Sequence, residues 1–281
     1  MFDFTGEIWF RLLALPIAAT LIAALLLKIA TRSGSASRLE TAAVGVALAW
    51  ILSLTLGAPQ FPPPRDGAGV AYFVIGGLVA GAMIDYVLPM IKAANRLWET
   101  GLDLAVWLFL IWWMRNGIDV IGLAAFAAWG LAMVRLRRAE PSPLNAHTMA
   151  VAAAAGLAII AWIGDSVVDR DIATGLAIAL LTYLVWQIFL LGATAGFALM
   201  WGGYMGIGII GLRLLETSES LGVALILLGF IFFADTAAEK LPLPQRLAGW
   251  VRPPVSIFIL SCLPLILAAI ATFVAAAHVT Y

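Results

Sequence analysis

Apolar residues run along this chain in ten long blocks, each closed by charged residues, glycine or proline. The blocks fall at roughly 9–28, 41–57, 68–91, 98–114, 118–135, 147–164, 172–191, 193–212, 220–238 and 254–277. A helix needs about 20 apolar residues to cross a hydrocarbon core, and most blocks come close to that length. The pattern predicts an all-α, polytopic transmembrane bundle of about ten spans, a single integral membrane domain over residues 1–281. Two of the intervening turns are tight. Arg115-Asn116-Gly117 must reverse the fourth block into the fifth, and the uncharged Leu191-Gly192-Ala193 must reverse the seventh into the eighth.

Composition agrees with that architecture. Hydrophobic residues make up 63% of the chain and charged residues 11%, with a mean hydropathy of +1.04. A soluble domain carries about 25% charged residues, so a water-facing surface cannot be built from this set. The formal net charge is zero, which gives nucleic-acid binding no electrostatic support. The lone Cys262 excludes an intramolecular disulfide and any multi-cysteine metal site.

The charges give an orientation. Lys28, Arg32, Arg38, Lys92, Arg96, Arg135, Arg137, Arg138, Lys240, Arg246 and Arg252 all fall in every second connection, eleven of the 16 basic residues. The positive-inside rule makes that side cytoplasmic, with both termini on the outer side. The other connections hold Arg11, Arg65, Arg115, Arg170 and Arg213 among a larger set of carboxylates. The start Met1-Phe-Asp-Phe-Thr-Gly-Glu7 is acidic where a cleavable signal is basic, so the first span is expected to be retained. Short loops without such a signal suit a bacterial inner membrane, its outer side being periplasmic. Pro141-Ser142-Pro143 separates five blocks from five, an arithmetic that permits inverted halves, 1–140 and 144–281, as in many secondary transporters. No residue-level match between the halves supports the repeat.

Few side chains offer chemistry. Asp85 follows Gly77 and Gly81 at i, i+4 spacing, a small-residue row along which another helix can approach. A carboxylate at membrane depth costs about 2.5–3.5 kcal/mol to insert, so it is expected to face a cavity or a partner. Asp85, with the adjacent Tyr86, is the candidate binding or coupling site for a substrate or ion, in a helix that Pro89 can kink. Asp235 and Glu239 share a helix face near the cytoplasmic side and form a second candidate. Asp165 and Asp169, in Gly-Asp165-Ser-Val-Val-Asp169-Arg170-Asp171, have a spacing that suits a divalent cation, although a companion motif is missing. His147 and His278 fall at opposite faces, so they cannot pair on an intramembrane haem within one chain. No cofactor is expected. Gly206-Ile-Gly208-Ile-Ile-Gly211 matches a dinucleotide fingerprint only in letters, since no strand precedes it. These glycines are expected to serve close helix packing or to mark an unwound, substrate-lining segment.

Gly203-Tyr204, Leu212-Arg213, Gly222 and Asp235-Thr236 together resemble the segment preceding the signature of phosphatidate cytidylyltransferases. The resemblance implies a lipid-modifying membrane enzyme working around Asp235 and Glu239. The Lys-Asp, His-Gly-Gly and Asp-Arg signature of that family is missing from the residues that follow.

Three functions are thus expected in order. The first is a small-molecule permease for an apolar or amphiphilic solute, since polar residues at mid-depth are few: Thr182, Tyr183, Gln187 and Thr194. The second is a non-enzymatic scaffold, assembly factor or accessory subunit. Its partners would dock on the proline-rich outer loop 57–66 or the Trp-rich span 98–114, where Trp107, Trp112 and Trp113 suggest an edge helix against lipid. The third is the lipid-modifying enzyme. The chain as a whole leans away from catalysis, and its one assured partner is the lipid bilayer.

Overall fold

The computed structural model describes residues 10–30, 38–57, 69–91, 96–139, 143–190, 196–240 and 252–279. Every regular element among them is helical. Among the described residues, ten helices are long and apolar enough to cross a membrane. We number them α1 (Phe10–Ala30), α2 (Leu39–Leu56), α3 (Val70–Ile91), α4 (Arg96–Met114), α5 (Val120–Ala139), α6 (Pro143–Ile163), α7 (Val167–Leu190), α8 (Phe197–Thr217), α9 (Glu219–Ala238) and α10 (Arg252–Val279). The expected all-α polytopic bundle is what the chain forms.

The Arg115-Asn116-Gly117 turn is a true reversal. Asn116 and Gly117 take positive φ angles of 52° and 152°, and the Gly117 N–H reaches back to Trp112 O at 3.1 Å. That is how a helix closes on a left-handed residue. Asp119 then caps α5, accepting the Gly122 N–H at 2.7 Å. The Leu191-Gly192-Ala193 turn lies outside the described residues, as does most of the proline-rich loop. Even so, α7 ends at Leu190 and α8 begins at Phe197, so the two blocks are separate helices.

The helices differ in how deeply they sit. In α8, 83% of the spanning window is buried, and in α6 72%, against 17% in α1 and 22% in α10. The bundle is therefore organised around α8 and α6, with α1 and α10 facing outward. Alanines along α6 (Ala146, Ala150, Ala153, Ala154, Ala161) are all buried and let α7 pack closely, one of the most extensive helix pairs among the described residues. The first half of α8 lies against α2 and α3, and its second half meets α5, α6 and α7.

The expected edge position of the Trp-rich helix needs correction at one residue. Trp107 is fully buried, its indole edge-to-face with Trp129 and its N–H on Ala125 O at 3.4 Å. Trp112 on the same helix is half exposed. The helix presents one aromatic face to the bundle and another outward, which a count of tryptophans cannot separate.

Candidate functional site

The start of α8 is held by side chains from four other elements. Its N-cap position is Gly196, which has no side chain to satisfy the first free N–H groups of the helix. Asp85 of α3 supplies the missing acceptor: its two oxygens take the N–H groups of Phe197 and Ala198, both at 2.9 Å. The carboxylate is buried, and its charge complements the positive end of the helix dipole. This is a helix cap delivered across the fold. It works only because α3 and α8 touch backbone to backbone. A Cβ at Gly81 would sit 2.6 Å from backbone atoms of Phe197 and Ala198, and one at Gly77 3.0 Å from Trp201 O. The Gly77–Gly81–Asp85 row is the face along which α8 docks.

Beside this cap lies a buried ionic network. Arg137 of α5 forks onto Asp103 of α4, with Nε to Oδ2 at 2.6 Å and Nη2 to Oδ1 at 3.2 Å. The Trp201 indole N–H donates to Asp103 Oδ1 at 2.7 Å, and the Arg137 guanidinium stacks over the Phe197 ring at 4.5 Å. Glu99 bridges Arg137 at 3.7 Å and Arg38 at 3.3 Å. Glu99, Asp103 and Arg137 are all buried, and each has a counter-charge. About two helical turns into α8, Tyr204 bonds His147 Nδ1 of α6, whose ring stands edge-on to Tyr183 of α7. His147 is fully buried and its Nε2 has no hydrogen-bond partner. A π-helical stretch over Met200–Tyr204 widens the backbone between these two clusters.

Sequence reading foresaw only part of this. Tyr86, next to Asp85, turns outward and is exposed. Asp235 pairs with Arg135 at 2.6 Å, joining α9 to α5, whereas Glu239 is exposed beyond it. Asp169 is buried and bonded to Arg213 at 2.6 Å and Ser166 at 2.7 Å. Asp165 is exposed in the turn with φ 57°. Among the described residues no three His, Cys, Asp or Glu side chains gather as a metal site. Glu99, Asp103 and Arg137 were missed as a site. The available signal was the pair Glu99 and Asp103 at i, i+4 within an apolar block, two acids on one face that demand a cation.

The second half of α8 has a different neighbour. Between α5, α8 and α9 runs a groove of about 580 Å3, within the range of small-molecule pockets. Its floor is Trp107, Trp129, Ala153 and Leu157, all buried; its lips are Val120, Ile226 and Phe230, all strongly exposed on the outside of the bundle. Gly211 and Gly229 line it, and a Cβ at either position would meet nothing within 4 Å. Glu219 is the one charged side chain of the lining. At the other end the Arg135–Asp235 pair joins α5 to α9 just past Phe232 and Phe233. The Trp129 N–H, buried in the groove wall, has no hydrogen-bond partner. Such a volume, apolar and open sideways, suits a hydrocarbon chain.

No family model, curated protein or solved structure matches this chain.

Proposed function

We propose that this protein is a permease for an amphiphilic solute that enters the α5–α8–α9 groove from the bilayer. The observation that carries the reading is the groove itself: apolar, about 580 Å3, and reachable through the exposed lips of Val120, Ile226 and Phe230. In this reading the ionic network around α8 is the rigid footing, and Asp85 holds the helix that forms the groove wall. The membrane is the bacterial inner membrane, with the face bearing Arg38, Arg135 and Arg137 cytoplasmic and the acidic face of Asp119, Glu216 and Glu219 periplasmic.

Transbilayer movement tests it. Vesicles containing the protein are expected to pass a fluorescent single-chain amphiphile from one leaflet to the other faster than protein-free vesicles do. Gly211→Phe, which fills the groove, is expected to remove that acceleration while the purified variant unfolds at an unchanged temperature. Equal rates with and without protein, or a Gly211→Phe variant as fast as the parent, would refute the proposal.

A further inference from the structure

The groove has a length and a charged end. Val120 to Leu131 on its α5 wall covers twelve residues, eleven rises of about 1.5 Å or about 17 Å, close to one leaflet of a hydrocarbon core about 30 Å thick. One end of that leaflet-long space is marked by Glu219, which forms no ion pair among the described residues.

Three arginines in or beside the connections on this side of the bundle are already committed. Arg115 is held by Asp119 and Glu216, Arg213 by Asp169, and Arg170 by Asp171. An anionic head arriving at this face finds each of these three guanidinium groups satisfied, and it meets the Glu219 carboxylate besides. A cationic head finds an open counter-charge at the mouth of a space that takes its tail. Resting on the reading of the groove as an amphiphile site, we infer that its preferred ligand is a single-chain amphiphile with a cationic head, seated on Glu219, and a leaflet-length apolar tail against Ile207, Gly211 and Ile226.

Three probes with one chain and different heads separate the possibilities. Diazirine-bearing octadecylamine, octadecanol and octadecyl sulfate are added to the full-length protein in phosphatidylcholine nanodiscs, and labelled residues are mapped by mass spectrometry. The amine is expected to label groove residues about three- to fivefold more than the alcohol, as suits one exposed ion pair, and the sulfate least. Glu219→Gln is expected to bring the amine down to the alcohol while leaving the alcohol unchanged, and Glu219→Lys to favour the sulfate. Equal labelling by all three heads, unmoved by either variant, overturns the cationic inference but leaves the groove reading standing. Labelling confined to lipid-facing residues such as Leu26, with none in the groove, overturns both.

Discussion

The two halves of α8 use the same residue for opposite ends. In the first half, a Cβ at Gly202 would sit 3.0 Å from Leu78 Cβ, while Gly77 and Gly81 of α3 accept the α8 backbone. In the second half, Gly211 faces nothing, and Gly229 of α9 opens on the same space. Glycine in the first region brings backbones together; in the second, Gly208 still makes room for the Trp129 ring, and Gly211 keeps a volume empty. A small-residue motif in a membrane helix is therefore not evidence of packing until its neighbour is known. The first region is also where the buried charges are, and the second has almost none. Rigidity and access sit at opposite ends of one helix.

The comparison can be broken most severely at the ionic end. Arg137→Leu leaves Asp103 and Glu99 buried beside one lost cation, and is expected to destabilise the protein by about 3–5 kcal/mol in detergent unfolding titrations. Adding Asp103→Leu to it is expected to restore part of that loss, because one uncompensated charge goes with it. A milder and more direct contrast is the same substitution in both regions. Gly81→Ala places a Cβ against backbone that cannot yield, with an expected cost of about 1–3 kcal/mol. Gly211→Ala enters open space and trades glycine for a better helix former, so stability is expected to hold or rise by up to about 1 kcal/mol. Equal losses at the two positions would erase the distinction drawn here.

The smallest effect is at the acidic face. The Arg115 side chain and the Gly122 N–H hold the Asp119 carboxyl down from an ordinary 3.8 to about 2. A depressed carboxyl contributes stability that is full above its unfolded value and is lost as pH falls through the folded one. The window is thus pH 4 to 2. Asp119→Asn is expected to flatten the pH dependence of the unfolding midpoint within that window and to leave it unchanged at pH 7 and above. A variant whose midpoint still falls with the parent's slope between pH 4 and 2 would assign the acid sensitivity to other groups.

Much of the architecture could be read from one-dimensional pattern, because a bilayer forces every spanning segment to be a long apolar helix. The Arg115-Asn116-Gly117 reversal was visible for the same local reason: the residue types that tolerate positive φ stand there. The row Gly77, Gly81, Asp85 also announced a helix contact, though not that the carboxylate would cap the helix that docks there. The ionic network was hidden by a boundary. The apolar pattern stops the fifth block at Arg135 and leaves Arg137 in a connection, whereas α5 continues to Ala139 and Arg137 lies buried in the bundle. His147 was set at a face for the same reason, since α6 begins at Pro143 and carries the ring one turn deeper. The groove's one signal was the Gly206–Gly211 stretch, which does not say which of its glycines packs and which faces open space. Gly208 and Gly211 read identically in sequence, yet a Cβ at the first would strike the Trp129 ring at 2.8 Å and at the second would strike nothing.

The cap on α8 also sets an order of assembly. Its acceptor, Asp85, is translated more than a hundred residues before the N–H groups it satisfies, so α3 can be in the membrane while α8 is still unmade. Until the two meet, the later helix enters the bilayer with bare donors at its leading end. A chain severed between Ala139 and Pro143 would yield two fragments that are both incomplete: the second has an uncapped central helix, and the first a carboxylate with nothing to hold. Supplied together, each fragment carries what the other lacks.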